Sequence, residues 1–227
     1  MDAAFFAGFN HDLHDATRWK AFYQDQQANN PSLPKEVPPV PDVDGEWLFH
    51  DMMASARAPD PWMSPALKKL RESGKYIVAA LSNTVIFPPD HEYSQQKLSE
   101  NDPLRSLFDA FDVFVSSAHV GLRKPDPKIY QLALQKVNEF AESNADSKRG
   151  KQGDWGSGIK AGEIVFLDDI GENLKAAKQA GFRTIKVPLG RAYEAVEQLE
   201  NITGLALAGD HLKIPIKPNF HGTKAKI

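Results

Sequence analysis

From residue 64 onward, hydrophobic and polar positions fall into two alternating patterns. Short, nearly continuous apolar runs occupy 75–82 (KYIVAALS), 112–117 (DVFVSS), 163–168 (EIVFLD) and 183–187 (RTIKV). Between them lie stretches that read as helix: 64–73, 127–141 with Ile129, Leu132, Leu134 and Val137 as its apolar side, 172–180 and 191–200. The runs predict strands and the longer stretches predict helices. Ser64 is the expected N-cap of the first of these helices, Pro65 lies in its first turn, and Gly74 and Gly181 are the expected stops. Strands that are apolar throughout and separated by helices predict an α/β fold, with a parallel sheet covered on both faces.

Upstream the pattern differs. Residues 1 to about 30 read as one helix carrying Phe5, Phe6, Phe9, Leu13, Trp19, Phe22 and Tyr23. Residues 31–46 are proline-rich and predict a linker, and 47–58 predict a further helix with Trp47, Leu48, Met52 and Met53 on one side. The polar, glycine-rich segment 143–158 is expected to be a flexible insertion without a function of its own. The expected organisation is a helical region over 1–60, an α/β core over 61–212 and a basic tail over 213–227.

Composition narrows the function classes. The chain has no cysteine, which excludes a disulfide framework and any thiolate nucleophile or metal site. A net charge of -3 gives no footprint for nucleic acid or an anionic membrane surface. Apolar runs such as Tyr76 to Leu81 are too short to span a bilayer, and the N-terminus has no basic region of a signal peptide. A cytoplasmic protein acting on a small molecule, with a homodimer as the expected assembly, fits these limits.

In a parallel sheet, ligands bind outside the carboxyl ends of the strands. The first strand ends in Leu81-Ser82-Asn83-Thr84, the second is followed by Gly121-Leu122-Arg123-Lys124-Pro125-Asp126-Pro127, and the third ends in Leu167-Asp168-Asp169-Ile170-Gly171-Glu172-Asn173. A hydroxyl, a lysine and an acidic pair therefore meet at one edge. Ser82 and backbone N–H groups suit phosphate oxygens, Lys124 their charge, and Asp168 and Asp169 are the hard oxygen ligands that magnesium prefers. A second cluster, His11-Asp12-Leu13-His14-Asp15, pairs two histidines at i and i+3 as a zinc site would. It offers no third ligand and is expected to be a solvated helix face.

The segments LSNT, GLRKPDPKIYQLAL and IVFLDDIGENLKAAKQAGFRTIKV resemble the second, third and fourth motifs of the haloacid dehalogenase-like (HAD) superfamily. Within it, they are similar to the phosphatase-like N-terminal domain of soluble epoxide hydrolases and its fungal relatives. The resemblance covers about residues 60–210. It implies a Rossmannoid core with a partial helical cap, phosphate-ester hydrolysis with Mg2+, Ser82 and Lys124 at the phosphate, and Asp168 and Asp169 at the metal. Asn83 and Asn173 would support the site.

The family's first motif is a D-x-D-G-[TV] loop at the end of a central strand, and its first aspartate attacks phosphorus. The letters recur at Asp42-Val43-Asp44-Gly45, but Pro38, Pro39 and Pro41 precede them, and proline is excluded from a central strand. Asp42 is thus the one candidate nucleophile, in the wrong context. The chain opens at Met1 in what resembles the cap, so the expectation is a sheet without its first central strand and a hydrolase scaffold that is degenerate or repurposed. Two alternatives stand beside it. One is a cyclase of the Diels–Alder type, as in fungal terpenoid biosynthesis, which would need no metal and would bind an apolar metabolite along Phe5, Phe9, Trp19, Tyr23 and Trp62. The other is a non-catalytic phosphate- or metal-binding protein.

Overall fold

A computed structural model describes residues 3–55, 58–87, 89 and 103–216, although the Phe5 side chain lies outside the described set, as does the tail from 217. The chain forms two compact units, one built on residues 3–55 and 87, the other on 58–86 and 103–216.

The first unit is helical: α1 (Ala3–Leu13), α2 (Ala16–Asn29) and α3 (Gly45–Ser55). The single helix expected over 1–30 is two. Asp15 ends the first and caps the second, its carboxylate accepting from the N–H groups of Thr17 (2.8 Å) and Arg18 (3.0 Å). Edge-to-face contacts of Phe49 with Phe6 (5.9 Å) and Phe9 (6.5 Å) pack α3 on α1. The proline-rich linker is held to α2 by hydrogen bonds from Trp19 Nε1 to the Pro38 carbonyl (2.8 Å) and from the Tyr23 hydroxyl to the Pro34 carbonyl (3.3 Å).

The second unit carries the strands. Its order is α4 (Met63–Glu72), β1 (Ala79–Ser82), α5 (Pro103–Phe108), β2 (Val113–Ser116), α6 (Ser117–Val120), α7 (Pro127–Ser143), α8 (Lys148–Gly153), β3 (Val165–Asp168), α9 (Gly171–Gln179), β4 (Arg183–Lys186) and α10 (Tyr193–Thr203). Each strand lies within a run that the sequence marks as apolar. Ser64 is not the N-cap of α4; it lies inside the helix. The Asp60 carboxylate does the capping, accepting from the Trp62 (3.0 Å) and Met63 (2.8 Å) N–H groups. Gly74, with φ +72°, ends the helix as expected.

β1 pairs with β2 in parallel, from Ala79 opposite Val113 to Ser82 opposite Ser116. β3 pairs with β4 in parallel, from Val165 opposite Arg183 to Asp168 opposite Lys186. Among the described residues no strand hydrogen-bonds one pair to the other, so the sheet is in two halves. One apolar cluster joins Trp62, Ala66 and Leu70 of the α4 region to Ile185 of β4 and Val196 and Leu199 of α10. A second joins Val115 and Phe166 to Ile129, Tyr130 and Ala133 of α7 and Ala176 and Ala177 of α9. Helices thus cover both faces of β3 and β4, whereas on β2 the side carrying Val113 and Val115 is covered and Phe114 on the other side is 46% exposed.

The segment 143–158 corrects the sequence reading most. It is a structured element. α8 is capped by Ser147, whose hydroxyl accepts from the Gly150 N–H at 2.9 Å, and Trp155 just beyond it is buried. Gly150 is required there: a Cβ at that position would lie 2.1 Å from the Asn144 carbonyl oxygen and 2.5 Å from that of Ala145. Backbone cannot give way as a flexible side chain can. Gly150→Ala is therefore expected to lower the unfolding free energy by about 1–3 kcal/mol, checked by urea denaturation.

Candidate functional site

The site is built where β1 and β3 end. In β3, side chains alternate, so Asp168 lies on the same face as Phe166, which packs edge-on against the buried Tyr130 ring at 5.7 Å. Asp168 is therefore buried at the point where the strand stops. Its carboxylate is fully engaged: Oδ2 accepts from Lys124 Nζ at 2.7 Å, Oδ1 from the Ile170 N–H at 2.9 Å, and both oxygens from Asn173 Nδ2 at 3.1 and 3.3 Å. Asn173 is fixed in turn, because the Tyr130 hydroxyl donates to its carbonyl at 2.9 Å.

Lys124 and Asp168 form a nearly buried ion pair, their side chains 11% and 4% exposed. The ammonium also sits 5.4 Å from the centre of the Phe166 ring. Burial works to raise the Asp168 carboxyl, but the Lys124 ammonium, the Ile170 N–H and the Asn173 amide more than offset it, and the carboxyl is held below the usual carboxylate range. Tyr130 is pushed up to about 12, first by burial and then by the Asp168 charge. An ammonium has three donors, and among the described residues Asp168 takes one of them, leaving the others for a ligand oxygen.

Asn83 links β1 to this centre. Its side chain accepts from the Lys124 N–H at 2.8 Å and donates to the Lys124 carbonyl at 3.1 Å. The residue after Ser82 is thereby fixed to the backbone that carries the lysine. The next residue, Thr84, is held from the β2 side. Its N–H donates to Ser117 Oγ at 2.8 Å, and its hydroxyl lies 2.6 Å from Ser116 Oγ, which lies 2.7 Å from His119 Nδ1. The sequence reading missed Thr84, Ser116, Ser117, His119 and Tyr130. Hydroxyl residues at or just after the ends of β1 and β2 were the signal for Thr84, Ser116 and Ser117, and nothing marked His119 or Tyr130.

The structure thus brings Asn83, Lys124, Asp168 and Asn173 into one hydrogen-bonded set, with Ser82 at its edge on the last position of β1. Asp169 is exposed beside it, with no hydrogen bond or ion pair among the described residues. Asp42 belongs to the helical unit, in the loop before α3. Its carboxylate is 96% exposed and lies 3.4 Å from His14 Nε2. Asp44, which would be the second aspartate of that motif, caps α3 by accepting from the Glu46 (2.9 Å) and Trp47 (3.2 Å) N–H groups. The two nitrogens of His14 meet the Asn10 carbonyl (2.7 Å) and the Val43 N–H (3.2 Å), and no group of three metal-capable side chains occurs among the described residues. Of the aromatic residues proposed for an apolar ligand, Phe9, Trp19 and Tyr23 lie in the helical unit. Trp62 is buried in the core of the other unit against Tyr193 and His211.

Fold and site together define a parallel α/β protein whose polar centre lies at the carboxyl ends of the strands, made of a lysine, a buried carboxylate and two asparagines. Residues 9–181 match the model of the haloacid dehalogenase-like hydrolases, and the chain belongs to that family. It is 33% identical over 172 residues to rat (Rattus norvegicus) bifunctional epoxide hydrolase 2, covering 76% of this chain and 26% of that protein. It is 38% identical over 105 residues to mouse (Mus musculus) acyl-CoA dehydrogenase family member 10, covering 46% of this chain and 8% of that protein. It is 26% identical over 156 residues to the Mycobacterium tuberculosis phosphatase MT3486, covering 69% of this chain and 58% of that protein. The matches therefore span from under a tenth to somewhat over half of these relatives' lengths. Lys124, the strand β3 that ends in Asp168 and the helix α9 that follows it all fall inside the matched segment.

Proposed function

We propose that the strand-end site receives the phosphate group of a small ester, and that the chain's described residues bind this group without forming a covalent intermediate. The observation that carries the reading is the Lys124 ammonium, held at 2.7 Å by the buried Asp168 with donors to spare. A cation fixed by a buried counter-ion needs no reorganisation when an anion arrives. Ser82 Oγ and the Asn83 N–H supply the remaining donors. The family membership and the phosphatase among the relatives agree with a phosphate ligand.

Magnesium fits the donor set through Asp169, an exposed carboxylate adjoining the site, since one or two carboxylates with substrate oxygens suffice for that ion. When bound, it would neutralise phosphate charge. Asp168, whose oxygens already accept from three groups, acts as the anchor of Lys124 instead of an open ligand. Among the described residues, the step that lacks a residue is nucleophilic attack. The described strands end in Ser82, Ser116, Asp168 and Lys186, and the carboxylate among these is paired with Lys124.

The test is calorimetric titration of the protein with inorganic phosphate and magnesium, together with an assay of phosphate release from an aryl phosphate. Phosphate should bind, and Lys124→Met should weaken it at least about tenfold, or roughly 1.4 kcal/mol. Release of phosphate that Asp169→Asn abolishes would overturn the binding-only reading. Folded protein that binds no phosphate would overturn the site itself and turn attention to apolar ligands.

A further inference from the structure

We propose that the chain has a second anion site at the opposite, amino-terminal end of β1 and β2, and that it takes a small hydroxylated oxyanion, phosphorylated or carboxylated. The site begins with a buried acid. Asp112 immediately precedes β2, and its side chain is 1% exposed. One oxygen accepts from the Val78 N–H at 3.0 Å, at the start of β1. Arg149 of α8 binds the carboxylate with both terminal nitrogens, at 2.7 and 2.8 Å, and donates a further bond to the Tyr76 carbonyl at 2.9 Å. Arg149 is thus committed to the fold.

Arg71 is not. Only its Nε reaches Asp112, at 3.2 Å, and its two terminal nitrogens have no partner among the described residues. Arg71 lines an open concavity of about 330 Å³, together with Lys68, Arg105, Glu72 and Asp109. Arg105 has no partner among the described residues, and Lys68 meets Glu72 only at 3.9 Å, beyond hydrogen-bond distance. Two arginines and a lysine with free donors therefore line one space. Planar guanidinium forks match phosphate and carboxylate oxygens bidentately. The volume is at the small end of ligand pockets. Glu72 and Asp109 supply acceptors beside the cations, which suits hydroxyl groups on the same ligand and disfavours a bare polyanion. Asp112 holds Arg71 by its Nε, which leaves that residue's two terminal nitrogens free to donate.

This site is independent of the strand-end reading, and the test keeps the two apart by position. Glycerol 2-phosphate is titrated into the full chain, and the backbone amides are followed by NMR. Saturable shifts are expected at 68–72, 105–110 and 149. In the Lys68→Gln/Arg105→Gln double variant, whose side chains are exposed and outside the strand-end set, these shifts should need at least about tenfold more ligand, while any shifts at 82–84, 124 and 168–171 stay as in the wild type. Shifts confined to the strand ends, or a double variant that titrates like the wild type at 68–72, would overturn the proposal.

Discussion

Replacing Asp168 with alanine is expected to lower the free energy of unfolding by about 3–5 kcal/mol, measured in urea at neutral pH. Three losses act together. Lys124 is left nearly buried without its counter-ion, and the Ile170 N–H and the Asn173 amide lose their acceptor. Lys124→Met should cost less, because Asp168 keeps two donors. The double variant Lys124→Met/Asp168→Leu should recover part of the loss, since neither charge is then stranded. The ion pair also sets an acid limb. The Asp168 carboxyl is depressed in the folded protein, so its contribution is full above the unfolded value near 3.9 and is lost as pH falls through the folded value. Asp168→Asn should flatten that limb. A loss under about 1 kcal/mol for Asp168→Ala would show that the pair is solvent-screened and organises nothing.

Asp112→Ala is expected to cost about 3–4 kcal/mol and to release α8. This residue gathers Arg149, Arg71 and the Val78 N–H around one carboxylate with almost no exposure. Burial pushes its carboxyl up, while Arg149, the Val78 N–H and Arg71 outweigh that and hold it below the usual range. Removing it leaves Arg149 partly buried, facing only the Tyr76 carbonyl and the Trp155 ring, 5.1 Å away. The consequence is local as well as global. Lys148, Arg149 and Lys151 lie on α8, so limited trypsin digestion should cut the variant there well before the wild type. Equal digestion rates would mean that α8 is held by Trp155 and Gly150 alone.

Asp112 also shows where the sequence is silent. It reads as an ordinary acid before an apolar run, and its partner lies 37 residues away inside a segment of flexible composition. Glycine, lysine and serine predict looseness when nothing anchors them, and the anchor is a tertiary ion pair. The N-cap expected at Ser64 failed for a related reason. Ser64 and Asp60 both qualify as helix starters, and the choice of Asp60 depends on the turn preceding Trp62. The strands were legible because β3 and β4 pack Phe166 on one face and Val165, Leu167 and Ile185 on the other, which imposes continuous apolar runs. At the site, the order of Ser82, Lys124 and Asp168 was legible. What the order cannot carry is the exchange of hydrogen bonds between Asn83 and the Lys124 backbone, or the use of Asp168 as the lysine's counter-ion.

The central claim is that Lys124, fixed by Asp168, forms an anion receptor at the strand ends. The most direct measurement is a crystal structure of the full chain with magnesium and tungstate, a phosphate mimic located by its own scattering. The account predicts tungstate with an oxygen about 3 Å from Lys124 Nζ and another near Ser82 Oγ, with the Lys124–Asp168 pair intact. Crystals in which tungstate binds elsewhere, while Lys124 contacts Asp168 alone, would contradict it.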